Sequence, residues 1–378
     1  MKSILSIFMV QLCLFTVLTG KDINPNDTPL TFSYDNKQLE EFKSCPLPKE
    51  IITNEQLTKL NQETTYLLKT TELTPIESTV LPAYLANAQK DFAWISFRLT
   101  GKFTGDLGPV TLWTMRLFIP DASLPSVNAS DFDPYSSGIA ALVVSRAAAR
   151  WNEEKKQIAN YPIKKGSDHW TPTSPGYRGI EYGTAKTWYL DSSKEFVVDT
   201  PQKDAGYWQE QTKDIIAAMD DREGTETELV YWWANLPAPD AGEWGAILEQ
   251  YFKEAKTPLA DRLWGKALFE SASLDSNAAA FNSKYTFWIK RPSQTNSQIK
   301  PLIAVPNHPS YPSAHSTISS TVAVVLTKLY PDNQKKWDEL AEEAGMSRIW
   351  GGIHYPADHK KGMELGEQIG QVIYERSQ

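Results

Sequence analysis

The chain has almost no cysteine, with two in 378 residues, Cys13 and Cys45. Cys13 lies in an apolar N-terminal run, so a mature chain without that run keeps Cys45 alone and forms no internal disulfide. Histidine is also scarce, at five residues, which makes the position of each one informative. No long basic run is present and the formal net charge is −8, which argues against nucleic acid as a partner. Beyond the N-terminus no stretch reaches the roughly 18 apolar residues of a membrane-spanning helix. The run Ile139–Val144, for example, ends at Arg146. Neither an alternating strand series nor an internal repeat is found, which excludes all-β and solenoid architectures.

What is present is enough apolar material for a large core, 41% hydrophobic and 11% aromatic residues, in one large domain or two smaller ones. Met1-Lys2 followed by Ile4–Leu18 and Thr19-Gly20 reads as a secretory signal over residues 1–20, which sends the chain to a periplasm or the exterior. An uncleaved anchor is the competing reading, disfavoured by the shortness of the run. Val10-Gln11-Leu12 lacks the small residues expected before a lipidated Cys13. Residues 21–48 are polar, carry Pro25, Pro29, Pro46 and Pro48, and read as a linker or strapped-down tail. An N-terminal helical part spans 49–160, with helices expected from Thr53, over Leu81–Leu99, over Leu112–Ile119 and over Ser137–Ala159. Residues 161–204 hold Gly166, Pro172, Pro175, Gly176, Gly183 and Pro201 and form a long loop region. Helical periodicity returns over 205–378, at Ala205–Met219, Glu243–Ala255, Pro258 to about Lys290, Ser313–Leu329, Gln334–Ala344 and Pro356–Arg376. The fold class is all-α.

Three C-terminal segments carry the chemistry. The first runs from Lys284 to Arg291-Pro292; the second is Pro312-Ser313-Ala314-His315; the third runs from Ser347-Arg348 through Gly351-Gly352 to His354 and Asp358. Lys284 and Arg291 are seven apart, two helical turns that place them on one side, while Pro292 disfavours helix at Arg291, so the helix is expected to end there with the guanidinium leaning past it. Taken alone, such a pair is usually a pair of solvated charges. Pro312 suits the first turn of a helix whose free N–H groups would form an anion site, with Ser313 as cap or donor. Asp358, four after His354, is placed to accept an imidazole N–H and fix the tautomer. A lysine, two arginines, a serine and two histidines in this pattern suit a tetrahedral oxyanion, with one imidazole for the central atom and another for a proton. Lys290 adds to the local positive charge.

The ordered triple resembles the signature of the PAP2 superfamily, which holds type 2 phosphatidic acid phosphatases, soluble bacterial acid phosphatases and vanadium-dependent haloperoxidases. Every fixed position matches except that Ala314 stands where the family has glycine. Alanine keeps the amide and is strained only if φ there must be positive. The resemblance implies a helical bundle with its site among the C-terminal helices. It implies that Lys284, Arg291 and Arg348 hold oxyanion oxygens with Ser313 and the residue 314 amide. His315 would act as general acid–base, and His354, supported by Asp358, would bond the central atom. His308, seven before His315, stands at the halide-side position of haloperoxidases. His169-Trp170-Thr171-Pro172-Thr173-Ser174-Pro175 is similar to a stretch of bacterial haloperoxidase-like proteins. His169 and His359 themselves read as loop and surface residues.

Two activities fit these motifs. The favoured one is a secreted, vanadate-dependent haloperoxidase oxidising halide with hydrogen peroxide, which the helical N-terminal half, the Trp-Thr-Pro-Thr stretch and His308 support. The other is a metal-free acid phosphatase that hydrolyses phosphate esters through a phosphohistidine at His354, toward which His354-Tyr-Pro-Ala-Asp358 leans. A non-catalytic anion binder is disfavoured because anion capture needs no acid–base pair. Nothing in the sequence specifies an oligomeric state.

Overall fold

Apolar residues recurring every three or four positions fold as helices along most of the computed structural model, which describes residues 23–71, 73–119, 124, 129–159, 161–234 and 242–378. The expected signal segment, residues 1–20 with Cys13, lies outside these. In chain order the helices are α1 (Asn36–Glu41), α2 (Asn54–Thr70), α3 (Pro75–Thr100), α4 (Gly108–Met115), α5 (Pro134–Gln157), α6 (Ala205–Asp220), α7 (Gly224–Trp232) and α8 (Gly242–Glu254). There follow α9 (Leu259–Phe287), α10 (Pro292–Thr295), α11 (Ala314–Leu329), α12 (Gln334–Trp350) and α13 (Pro356–Arg376). Among the described residues there is no β-strand, only an isolated bridge between Ile51 and Thr104. None of the described helices is long and apolar enough to cross a membrane.

Local chemistry sets the helix starts. Thr53 caps α2, Asp133 caps α5 and Asp204 caps α6, each side chain accepting a first-turn N–H. Thr74 and Glu77 form a reciprocal capping box at α3, which ends at Gly101 in the left-handed region, φ 74°. Several expectations need correction. Helix α4 opens at Gly108, four residues earlier than the pattern suggested, with Pro109 in its first turn, and residues 116–118 are turn. Helix α7 was not anticipated, its apolar residues being weakly periodic. Helix α12 continues past Ala344 to Trp350, so Ser347 and Arg348 lie in its last turn.

One core cluster runs from Phe32 through α3, α5 and α9 to Ile373, so residues 49–160 and 205–378 share packing. Helix α9 packs against both α3 and α11. A second cluster joins Trp233, Trp244, Leu248, Phe269, Leu326 and Trp337. Residues 31–34 of the expected tail are tied to α3: Asp91 accepts from the Thr31 and Phe32 amides at 2.8 and 2.9 Å and from Tyr34 Oη at 2.9 Å.

The 161–204 loop is fastened to α9 by Asp275. Its carboxylate accepts the Trp188, Tyr189 and Leu190 amides at 2.7, 2.8 and 3.0 Å. Burial pushes this carboxyl up to about 6, and the three N–H groups oppose the shift by stabilising the anion. Asp275→Ala strands three amides at a buried site. The expected cost is on the order of 3 kcal/mol or more, read as a lower urea midpoint at unchanged m-value; an unchanged midpoint contradicts this fastening role.

Candidate active site

Helix α9 presents Lys284 three residues before its end and then stops at Trp288, a non-glycine residue in the left-handed region, φ 58° and ψ 37°. That conformation is costly for a bulky side chain and persists where packing imposes it. The Trp288 ring is fully buried among Trp170, Tyr177 and Tyr285. Beyond it the chain is extended: Trp288 O accepts from Trp170 N at 2.7 Å and Ile289 O from Ser310 N at 2.9 Å. Arg291 therefore sits in extended backbone, φ −73° and ψ 153°, and not on the helical face of Lys284. Arg291 is non-helical as Pro292 indicated, but the helix ends earlier than expected, at Phe287, so the shared helix side is corrected: the turn at Trp288 brings Arg291 into the field of Lys284.

Ser310, Tyr311 and Pro312 lead to Ser313, the N-cap of α11, whose hydroxyl accepts from Ser316 N at 3.3 Å. Pro312 precedes the cap and follows a cis peptide, so it is not the first-turn residue expected. Ala314 is the first helical residue and has no positive φ, so alanine there carries no backbone strain. Close packing of α11 on α13 fixes this start. A Cβ on Gly362 would come within 2.7 Å of Ser313 O, so only glycine permits the approach.

Lys284 is fully buried, and its Nζ donates to the carbonyls of Pro309, at 3.1 Å, Ser310, at 2.7 Å, and Pro312. Burial, then the Arg291 charge, holds its pKa well below the usual lysine value. Arg291 is equally buried. Its Nε donates to His308 O at 3.0 Å, Nη1 to Ile353 O and His354 Nε2 at 2.9 Å each, and Nη2 to His308 Nδ1 at 3.1 Å. Burial lowers it to about 10. Arg348 is buried too; its Nε donates to Ser347 Oγ at 3.0 Å and Nη2 to Val230 O at 2.9 Å. Lys290, by contrast, is only partly buried.

A guanidinium can only donate, so the Arg291 contact puts the His354 lone pair on Nε2. The proton is then on Nδ1 and is given to Asp358 Oδ2 at 2.7 Å. The same Oδ2 accepts from Ser310 Oγ at 2.5 Å and Tyr355 N at 3.1 Å. Burial raises Asp358 to about 6, against the pull of Ser310 and Lys284, so it is ionised at neutral pH. Burial, then Arg291 and Lys284, keeps His354 neutral far below its ordinary value. The structure thus holds a neutral imidazole whose lone pair, on Nε2, accepts from Arg291. Lys284 and Arg291 share this single carboxylate as the acidic group acting on them, so positive charge is in excess. That donor set fits a tetrahedral oxyanion.

His308 stacks on Phe281 with ring centroids 4.9 Å apart, and the Arg291 contact places its proton on Nε2. His315 projects from the first turn of α11 and gives Nε2–H to Trp233 O at 3.1 Å. Burial, with Arg348 next, depresses it; Lys284 and Arg291 add to the effect, so it lies in the field of the cations. His359 is buried between Ser316 Oγ and Glu342 Oε1, at 3.0 and 3.1 Å, rather than on the surface as expected. His169 is a loop residue, 3.8 Å from Asp168. Ser310 was missed: serines are common, and its role shows only once Asp358 is placed. The backbone carbonyls of Val230 and Trp233 leave no side-chain signal at all.

Residues 332–378 match a family model described as the VCPO second helical-bundle domain. A bacterial vanadium-dependent iodoperoxidase superposes with TM-score 0.70 at 17% identity, over 88% of this chain and 98% of that one. The apo form of a bacterial vanadium-dependent chloroperoxidase gives 0.61 at 15% identity, over 82% and 95%. Among curated proteins, the bacitracin transport permease protein BcrC of Bacillus licheniformis is 35% identical over 57 residues, which is 15% of this chain and 28% of that protein. The fold is that of the vanadium haloperoxidase structures, and residues 332–378 carry the family-model match.

The buried neutral histidines make stability pH-dependent. An imidazole depressed in the folded state is neutral in both states above about pH 6.5 and contributes nothing there. Below that, the unfolded chain binds the proton first, so stability falls as pH falls. At pH 5.5 each such group costs about 1.4 kcal/mol. The loss of unfolding free energy between pH 7.5 and 5.5 should be smaller in His308→Phe than in the wild type by about 1 kcal/mol. An equal or larger loss, by urea titration at both pH values, contradicts the neutral assignment of His308.

Proposed function

We propose that the chain is a PAP2-superfamily enzyme that binds a vanadate or phosphate oxyanion and works as a vanadium-dependent haloperoxidase, oxidising halide with hydrogen peroxide. The observation that carries the reading is the buried line Arg291–His354–Asp358, which aims an imidazole lone pair into surplus positive charge. The fold shared with the iodoperoxidase and chloroperoxidase structures supports the haloperoxidase branch.

Arg291 and Arg348 would hold the anion's oxygens, Arg291 through a fork able to grip two of them, and Lys284, whose three N–H groups now meet carbonyls, would release one of these to join them. Arg291 Nη1 now sits on His354 Nε2, so it must turn toward the anion as the imidazole takes up the central atom. The Ser313 hydroxyl, whose oxygen accepts from Ser316 N, keeps its own hydrogen to donate, and the Ala314 amide at the α11 start adds a second donor. Asp358 keeps the proton on Nδ1, so Nε2 stays the bonding atom. His315 takes and returns a proton at the reacting oxygen. His308, clamped by Arg291, stands on the halide side. When bound, vanadate supplies Lewis-acid activation of peroxide for attack by halide. The N-terminal signal-like segment, Met1-Lys2 and Ile4–Leu18, supports export to a periplasm or the exterior.

The Asp358–His354 pair also favours a second reading, the metal-free phosphatase. There His315 first takes a proton from water on Nδ1; Nε2 of His354 attacks phosphorus, the P–O ester bond breaks as His315 gives that proton to the leaving oxygen, and water then cleaves the P–N bond to release phosphate, returning its proton to His315. A paired assay separates the two. Orthovanadate-loaded protein should oxidise iodide or bromide with peroxide, and vanadate-free protein should not. Aryl-phosphate cleavage by the vanadate-free protein, with vanadate acting only as inhibitor, establishes the phosphatase instead. His354→Ala should lose at least about a hundredfold in either reaction; full retention removes His354 from the chemistry.

A further inference from the structure

The last turn of α7 meets two of the site's side chains through its backbone. Val230 O accepts from Arg348 Nη2 at 2.9 Å, and Trp233 O accepts from His315 Nε2 at 3.1 Å. The C-terminal end of a helix carries negative partial charge, which suits both partners. A carbonyl can only accept, so this contact holds the His315 proton on Nε2 and leaves the lone pair on Nδ1. The position of the Trp233 carbonyl therefore decides which nitrogen of His315 exchanges protons.

Trp233 is itself fixed from the far side. Its indole is buried, packed edge-on against Trp232 at 4.7 Å and near Trp244 at 6.0 Å. The indole Nε1 donates to Glu343 Oε1 on α12 at 2.9 Å. At the other end of α7, Arg222 donates from Nε to Thr227 Oγ1 at 3.0 Å and from Nη1 to Trp350 O at 2.8 Å. The helix is thus tied to α12 at both ends, and α12 also carries Arg348.

We infer that Glu343 and Trp233 are positioning residues for the proton-transfer step: the Glu343–Trp233 hydrogen bond holds the α7 C-terminal carbonyl on His315 Nε2–H, making Nδ1 the atom that takes up and returns the proton. This rests on the reading of His315 as the acid–base group. In the step, the Nδ1 lone pair accepts a proton from a reacting oxygen, Nε2–H stays on Trp233 O, and the imidazolium then gives the Nδ1 proton back. Glu343 acts only as an acceptor for the indole, so its charge is not needed.

The test is 15N NMR of histidine-labelled protein without vanadate, with His315 assigned by loss of its signals in His315→Asn. The wild type should show the Nε2–H tautomer at His315. Glu343→Ala should raise the share of Nδ1–H and lower kcat by roughly 10–100-fold, with vanadate affinity within about twofold. Glu343→Gln should restore both, because the amide oxygen still accepts from Trp233. An Nδ1–H tautomer in the wild type, or an unchanged tautomer in Glu343→Ala, overturns the proposal. Because the tautomer is read without turnover, failure of the haloperoxidase reading leaves this result to be decided on its own.

Discussion

Two cations, Lys284 and Arg291, are fully removed from water and act on one carboxylate, Asp358. Burying a charge is expensive unless it is paired and hydrogen-bonded, and here the pairing with charge is incomplete. Backbone carbonyls make up part of the difference. Those of Pro309, Ser310 and Pro312 surround the Lys284 ammonium, and those of His308 and Ile353 meet the Arg291 guanidinium. Dipoles satisfy hydrogen-bond geometry without neutralising charge. The donor set therefore suits an anion, and the rest of the local structure holds those cations in place.

Each neighbouring element contributes to that end. The turn at Trp288 redirects the chain so that Arg291 faces the His354 side while Lys284 faces the 309–312 segment. Trp170 and Tyr177, from the 161–204 loop, pack on Trp288, and Asp275 ties the same loop to the middle of α9. Close contact of α11 with α13 sets Ser313 beside the start of α13, where Asp358 lies; Ser313 N donates to Asp358 O at 3.0 Å. Helix α7 closes the remaining side through Val230 and Trp233.

The side chains of the site were legible because chemistry restricts their types: a lysine, two arginines and a His–Asp pair at fixed spacings leave few alternatives. The all-α class was legible from periodicity, and α13 began at Pro356 as the proline indicated. Other features were not legible. A seven-residue spacing suggested one helical face for Lys284 and Arg291, but tertiary packing of the Trp288 ring outweighed helix continuation. Pro312 looked like a first-turn residue, yet Ser313 took the cap, because a side-chain oxygen there satisfies the Ser316 amide. Helix α7 was missed since it is short and its contribution comes through carbonyls, which every residue has. The surface reading of His359 failed because it lies opposite Ser316, a contact made only when α11 and α13 pack together.

The central claim is that buried positive charge at Lys284 and Arg291 awaits an oxyanion. It is tested most directly by calorimetric unfolding of the wild-type protein with orthovanadate or phosphate, against chloride at equal ionic strength. An anion that binds only the folded state raises Tm, by an amount corresponding to about 2.7 kcal/mol at a hundredfold excess over Kd. The account predicts a saturable rise at one anion per chain, abolished in Arg291→Ala. An unchanged Tm with no saturable binding would contradict it.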